Sequence, residues 1–132
     1  GYQLKKIIIN KFKDKVEFKD GGTYSEESVD YPDYAHLAAK ELNSNKVDRI
    51  VLICGSGNGI QMTANKHNNV RCALCWNEEI TQLARQHNDA NAISLPARFI
   101  NEVEAEKIVE AFIKTTFEGG RHQKRTSKIN AK

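Results

Sequence analysis

Along the chain, apolar residues alternate between two arrangements: stripes at three-and-four spacing and short unbroken runs. In GYQLKKIIINKFKDK, Leu4, Ile7, Ile8 and Phe12 recur at helical spacing, so the chain is expected to open in a helix. VEFKD (Val16 to Asp20) alternates with period two and predicts a short strand ended by Gly21 and Gly22. The polar stretch TYSEESVDYPDY then reads as a loop, with Pro32 suited to the first turn of a helix. Tyr34, Leu37, Ala38 and Leu42 mark that helix, and Asn43, Ser44 and Asn45 stop it.

RIVLIC (Arg49 to Cys54) is a continuous apolar run of strand length, the pattern of a strand covered on both faces. The loop GSGNG follows directly, and Ile60 to His67 predicts a helix. VRCALCW (Val70 to Trp76) reads as a second buried strand. Asn77 is a suitable N-cap, with Glu78 and Glu79 favourably placed in the first turn that follows. Ile80, Leu83, Ala84 and His87 form the apolar stripe of that helix. AISL (Ala92 to Leu95) predicts another strand, and Asn101 with Glu104 has the spacing of a capping box. The following helix carries Ile108, Val109, Phe112 and Ile113 on its apolar face and is expected to end at Gly119 and Gly120. Strands alternating with helices predict an α/β fold, a parallel sheet with helices on both faces. Ligands in such sheets bind outside the carboxyl ends of the strands, where Cys54 and its loop would lie.

Composition adds bounds. A chain of 132 residues suits one domain, and no linker, repeat or low-complexity segment divides residues 1–132. No apolar run approaches the roughly 18 residues of a membrane span, so a soluble protein with no membrane partner is expected. The three cysteines, an odd count with no secretory leader, favour a reducing, cytoplasmic setting over a disulfide framework. A net charge of +3 is too small to imply nucleic acid, but RHQKRTSK (Arg121 to Lys128) gathers basic residues suited to a small anion.

GSGNG between a strand and a helix can turn several backbone N–H groups toward one point, where an anion or a developing oxyanion would fit. Gly55, Gly57 and Gly59 give G-x-G-x-G, which is neither a dinucleotide fingerprint nor a P-loop, and a tight structural turn is the alternative reading. The same N–H groups would favour the thiolate of Cys54, making it a candidate general base; otherwise it is a small buried hydrophobe. Cys72 and Cys75 form a formal C-x-x-C, but within a strand residues three apart face opposite ways, so both are expected to be packing residues. His87 could face a cleft or serve as a structural histidine. His36 and His67 are expected at the surface, and no His, Cys and carboxylate spacing suggests a zinc site. Arg121 and Arg125, four apart, would make a phosphate clamp if their segment is helical, or else a solvated basic tail. Arg98 follows a strand at the same sheet edge as Cys54.

Together, SVDYPDY, CGSGNGIQMTANK, RQHNDANAISLPAR and FEGGRHQKR, in this order and spacing, resemble the ribose-5-phosphate isomerase B family over essentially the whole chain. The resemblance implies a Rossmann-like three-layer α/β/α fold and interconversion of ribose 5-phosphate and ribulose 5-phosphate through a cis-enediolate, without metal or organic cofactor. It also implies a homodimer or tetramer with active sites between subunits, and a C-terminal tail (119–132) packed on a partner. Cys54 matches the family's base, and Gly55, Ser56, Gly57, Asn58 and Gly59 match the loop that holds the enediolate. His87 matches the histidine that opens the furanose ring, and Asn88 a neighbouring substrate contact. Arg98, Arg121 and Arg125 match substrate and phosphate ligands, and Tyr31 a tyrosine lining the site. One branch replaces the cysteine base by a glutamate at the loop's end; here that position is Ile60, which assigns the chain to the cysteine type. Family members begin with a strand ending in an Asp-His pair, whereas this sequence opens at the glycine that follows, Gly1. The expectation is therefore a sequence shortened at its start, with the absent strand belonging to the middle of the sheet. Two alternatives stay open: a hexose-6-phosphate (galactose or allose) isomerase of the same superfamily, and a non-catalytic phosphosugar-binding or flavodoxin-like module.

Overall fold

A computed structural model describes residues 1–22 and 30–130, so the Thr23–Val29 part of the expected polar loop lies outside the described residues. The elements are α1 (Tyr2–Phe12), α2 (Tyr31–Asn43), β1 (Ile50–Cys54), α3 (Asn58–Ala64), β2 (Cys72–Leu74), α4 (Glu78–Asn88), β3 (Ala92–Pro96), α5 (Glu102–Lys114) and α6 (Arg121–Thr126). The strands form a parallel sheet in the order β1-β3-β2, with Ile50 opposite Ala92, Cys54 opposite Pro96 and Cys72 opposite Ala92. The expected alternation of helices and parallel strands is therefore observed.

Period-two alternation along β1 builds two cores. Ile50 and Leu52 join Ala35, Ala39, Leu42, Ile60, Ala64, Val70, Cys72 and Ala92 beneath α2 and α3. Val51 and Ile53 turn the other way, against Ile8, Phe12, Ile93, Leu95, Ile108, Val109 and Phe112 beneath α1 and α5. Central β3 is buried at all five residues because helices cover both its faces. Burial of the Leu, Ile, Val and Phe side chains among them, each worth about 1.5–3 kcal/mol when complete, is the main force holding the layers together. Cys72 packs in one core and Cys75 in the other, as two packing residues on opposite faces should.

Capping sets the helix starts. The Asn77 side chain accepts from Ile80 N at 2.9 Å, and Asn101 and Glu104 exchange side chain-to-backbone hydrogen bonds of 2.8 and 3.0 Å. Both read directly from sequence because a cap is a local interaction.

Other expectations need correction. Val16–Asp20 is not a strand: Val16 and Phe18 pack on the α1/α5 core, but no strand lies alongside them among the described residues, and period two alone makes no ladder. The last long helix ends at Lys114 rather than at Gly119, because Thr115 turns to extended backbone (φ −78, ψ 131) and its carbonyl is taken by Arg85 Nε at 3.0 Å. In α2 the inward face is Ala35, Ala39 and Leu42, while Leu37 is 56% exposed; small residues let α2 approach α3 closely. In α4 the buried residues are Thr81, Ala84 and Arg85, and Leu83 is exposed.

Candidate active site

Cys54 ends β1 at the carboxyl edge of the sheet, half-buried. Its carbonyl accepts from Ala97 N at 2.8 Å, and the next carbonyl, of Gly55, accepts from Arg98 N at 3.0 Å. The segment after β3 is thereby fastened to the glycine loop, which brings the Arg98 side chain against Gly55. The loop turns at Gly57, whose φ of +78 suits glycine, and a Cβ there would lie 2.6 Å from Leu74 Cδ1. Gly57 caps α3, and Ser56 Oγ accepts from Asn58 N at 3.3 Å. At Gly59 a side chain would collide with the hydroxyl and ring of Tyr31, the first residue of α2. Cys54, the loop, Arg98 and Tyr31 are thus one cluster, gathered by the ends of β1 and β3 and the starts of α2 and α3.

The remaining expected site residues lie elsewhere. His87 and Asn88 are the last two residues of α4, which begins at the carboxyl edge after β2 and runs back to the amino edge before β3. There Asn91 N donates to Arg71 O at 3.1 Å, beside the start of β2. Two sheet edges are separated by a strand length, about 13 Å for five residues. Within one chain, therefore, Cys54 and His87 stand at opposite ends of the sheet.

Around His87 the fold assembles a second cluster. Its ring stacks on that of His122 with centroids 4.3 Å apart and planes 12° from parallel. His122 Nε2 lies 3.6 Å from Glu118 Oε1, and the Glu118 backbone N donates to Gln86 O at 3.0 Å. Arg121 and Arg125 occupy exposed positions on the same short helix, α6, four residues apart as expected for a clamp. Burial holds the His122 ring below its ordinary value of 6.5, with His87 and the Arg121 and Arg125 cations adding to the shift. His122 and Glu118 escaped the sequence reading; the only signal for them was their four-residue spacing next to the RHQKR run.

Arg85 fixes this end of α4. Buried, it donates to Asp89 Oδ1 at 2.9 Å, to Ala90 O at 2.7 Å and to Thr115 O at 3.0 Å, tying the C-terminus of α4 to that of α5. His36 and His67, expected at the surface, are instead half-buried and joined ring to ring at 2.8 Å between α2 and the turn after α3. Burial, followed by His36 and Lys40, lowers the pKa of His67.

All three cysteines are free thiols, and burial pushes Cys72 up to about 12 and Cys75 to about 11. Both stay protonated at neutral pH, which leaves Cys54 as the thiol available for chemistry. No helix among the described residues is long and apolar enough to cross a membrane.

Comparison with known proteins agrees with this geometry. A family model described as Ribose/Galactose Isomerase matches residues 1–129. The chain is 40% identical to the ribose-5-phosphate isomerase B of Escherichia coli, over 99% of this chain and 89% of that one. Its fold superposes on the Thermotoga maritima ribose 5-phosphate isomerase crystal structure with a TM-score of 0.94 at 45% identity, covering 97% of this chain and 89% of the other. The Mycoplasma genitalium ribose-5-phosphate isomerase B, solved with bound ribulose-5-phosphate, gives a TM-score of 0.90 at 45% identity over 98% of this chain and 87% of that one. A thiol beside a glycine loop on a Rossmann-like parallel sheet, matched over nearly its whole length, makes this chain a member of the ribose/galactose isomerase family of sugar-phosphate isomerases.

Proposed function

We propose that the protein interconverts D-ribose 5-phosphate and D-ribulose 5-phosphate, with Cys54 as the base. The observation that carries this reading is the half-buried Cys54 at the carboxyl edge, next to a loop whose backbone approaches Arg98 on one side and Tyr31 on the other. An aldose–ketose exchange moves one proton between C2 and C1 and passes through an enediolate. It therefore needs a base and preorganised donors, and no electron sink. The Cys54 thiolate takes the C2 proton and returns it to C1 as the O2 hydroxyl proton passes to O1, while the amides of Gly55 to Gly59 and Tyr31 line the enediolate oxygens. No metal or cofactor has a step to perform in this scheme.

His87 opens the furanose by passing the anomeric hydroxyl proton to the ring oxygen as the bond from C1 to that oxygen breaks. Arg121 and Arg125 hold the phosphate as two guanidinium forks on one helix face, and Asn88 and Arg98 contact the sugar. Because the Cys54 and His87 clusters lie at opposite edges of one sheet, a complete site takes one cluster from each of two copies. A homodimer supplies two such sites by symmetry, and a tetramer would repeat them. Exposed Trp76, Phe99 and Val103 rim the carboxyl edge, and Ile129 is exposed on the tail (119–132), as an interface between copies would require. Three free thiols suit a reducing, cytoplasmic setting.

The test is an isomerase assay on the full chain, with Cys54→Ala and His87→Ala. Cys54→Ala should lose roughly 10²- to 10⁴-fold in kcat with either substrate. His87→Ala should lose more with ring-form ribose 5-phosphate than with open-chain ribulose 5-phosphate. Undiminished turnover in Cys54→Ala removes the base, and equal losses for His87→Ala contradict ring opening. Faster turnover of allose or galactose 6-phosphate would move the assignment to a hexose-phosphate isomerase. No turnover of any of them would leave a phosphosugar-binding module.

A further inference from the structure

We propose that His87, Glu118 and His122 form a reversible binding site for a zinc-class transition-metal ion, and that loading it withdraws His87 from catalysis. The metal binding stands on geometry alone; the inhibition rests on the role given to His87 above. One ligand atom from each of the three residues lies within 4.8 Å of the others. His122 Nε2 and Glu118 Oε1 are already 3.6 Å apart. Tetrahedral zinc with bonds of about 2.0–2.2 Å sets its ligands roughly 3.3–3.5 Å apart, so closing the site needs movements on the order of 1 Å.

The His87 and His122 rings are stacked, and parallel rings cannot both aim a lone pair at one ion. His122 is nearly buried, so the ring that turns about its χ2 bond is His87. The backbone below is already organised: Glu118 N is bonded to Gln86 O on α4, and His122 N to Gly119 O.

Two imidazoles and one carboxylate suit Zn²⁺, Co²⁺ or Ni²⁺ and not the oxygen-seeking Mg²⁺ or Ca²⁺. Three protein ligands leave a fourth position open. Arg121 and Arg125 on the same helix oppose a dication, which makes this a site loaded when free metal rises and not a permanent structural zinc. Sequence spacing did not show it because His87 reaches the other two ligands only through the packing of α4 on α6.

The experiment is titration of the full-length, EDTA-washed protein with Co²⁺ and Zn²⁺, read by calorimetry and by the Co²⁺ visible spectrum. The controls are Glu118→Gln and Cys54→Ser. Glu118 is half-exposed, so its replacement spares the core. One ion per chain is expected, with no thiolate charge-transfer band, weakened roughly tenfold or more in Glu118→Gln and retained in Cys54→Ser. No binding, or binding lost in Cys54→Ser and unchanged in Glu118→Gln, overturns the site. Zn²⁺ should also inhibit wild-type isomerisation reversibly and inhibit Glu118→Gln less. Loading without inhibition would leave the metal site standing and overturn its coupling to His87. An unaffected His87→Ala enzyme would instead locate the failure in the catalytic reading.

Discussion

Cys54 ends β1, Cys72 begins β2 on the other side of β3, and Cys75 lies just beyond β2; burial separates their chemistry. With values of about 12 and about 11, Cys72 and Cys75 hold little thiolate at neutral pH. At a pKa near 11 the reactive fraction at pH 7 is about one in ten thousand. A chromogenic disulfide reagent should therefore titrate a single fast thiol in the native protein, and Cys54→Ser should abolish that phase while all the remaining thiols react after unfolding. Fast labelling that survives in Cys54→Ser would show that the two buried cysteines are more open than the sheet allows. Glycines matter here for a different reason: Gly57 supplies a left-handed turn, and Gly59 lets Tyr31 lie against the loop backbone.

Among the elements, α4 links the core to the second cluster. It starts on a side-chain cap at Asn77 and ends where Arg85 fixes its last turn, and His87 and Asn88 are positioned by that end. Arg85→Met keeps the stem but leaves the carbonyls of Ala90 and Thr115 without their donor and Asp89 with Arg71 alone, at 3.4 Å. The expected cost is about 3 kcal/mol, roughly ten degrees in Tm, measured by thermal unfolding. A change of under about 0.5 kcal/mol would mean that the arginine is a surface-like residue despite its burial. β2 is secured similarly, since Asn65 on the turn after α3 accepts from Cys72 N at 2.7 Å and donates to Cys72 O at 2.9 Å.

For the molecule as a whole, the separation of the two clusters makes a prediction that neither cluster makes alone. If each site pairs Cys54 of one copy with His87 of another, then mixing Cys54→Ala with His87→Ala subunits creates hybrid dimers with one intact site. After unfolding and refolding together in equal amounts, activity should return to about a quarter of the wild-type value per site, because half of the dimers are hybrids and half of their sites are intact. A mixture no more active than its components would place the whole site within one chain and contradict the reading from sheet topology.

Much of this protein was legible in its order of residues. The alternation of elements, the caps at Asn77 and Asn101 and the turn at GSGNG depend on interactions within a few residues, and so does the position of Cys54 at a strand end. What the residues could not show was anything that depends on distant neighbours. Val16–Asp20 has a strand's pattern without a strand's partner. The α5 helix stops at Thr115 because Arg85, thirty residues earlier, takes its carbonyl. His122 and Glu118 join His87 only when α6 packs on α4. Period and capping are local properties of a chain, whereas burial, stacking and which edge of the sheet a residue occupies are decided by packing. The sequence therefore determined that Cys54 ends a strand before a glycine loop and that Arg121 and Arg125 stand four apart in a basic run, and only the tertiary structure decided that the expected site residues fall into two clusters at opposite ends of one sheet.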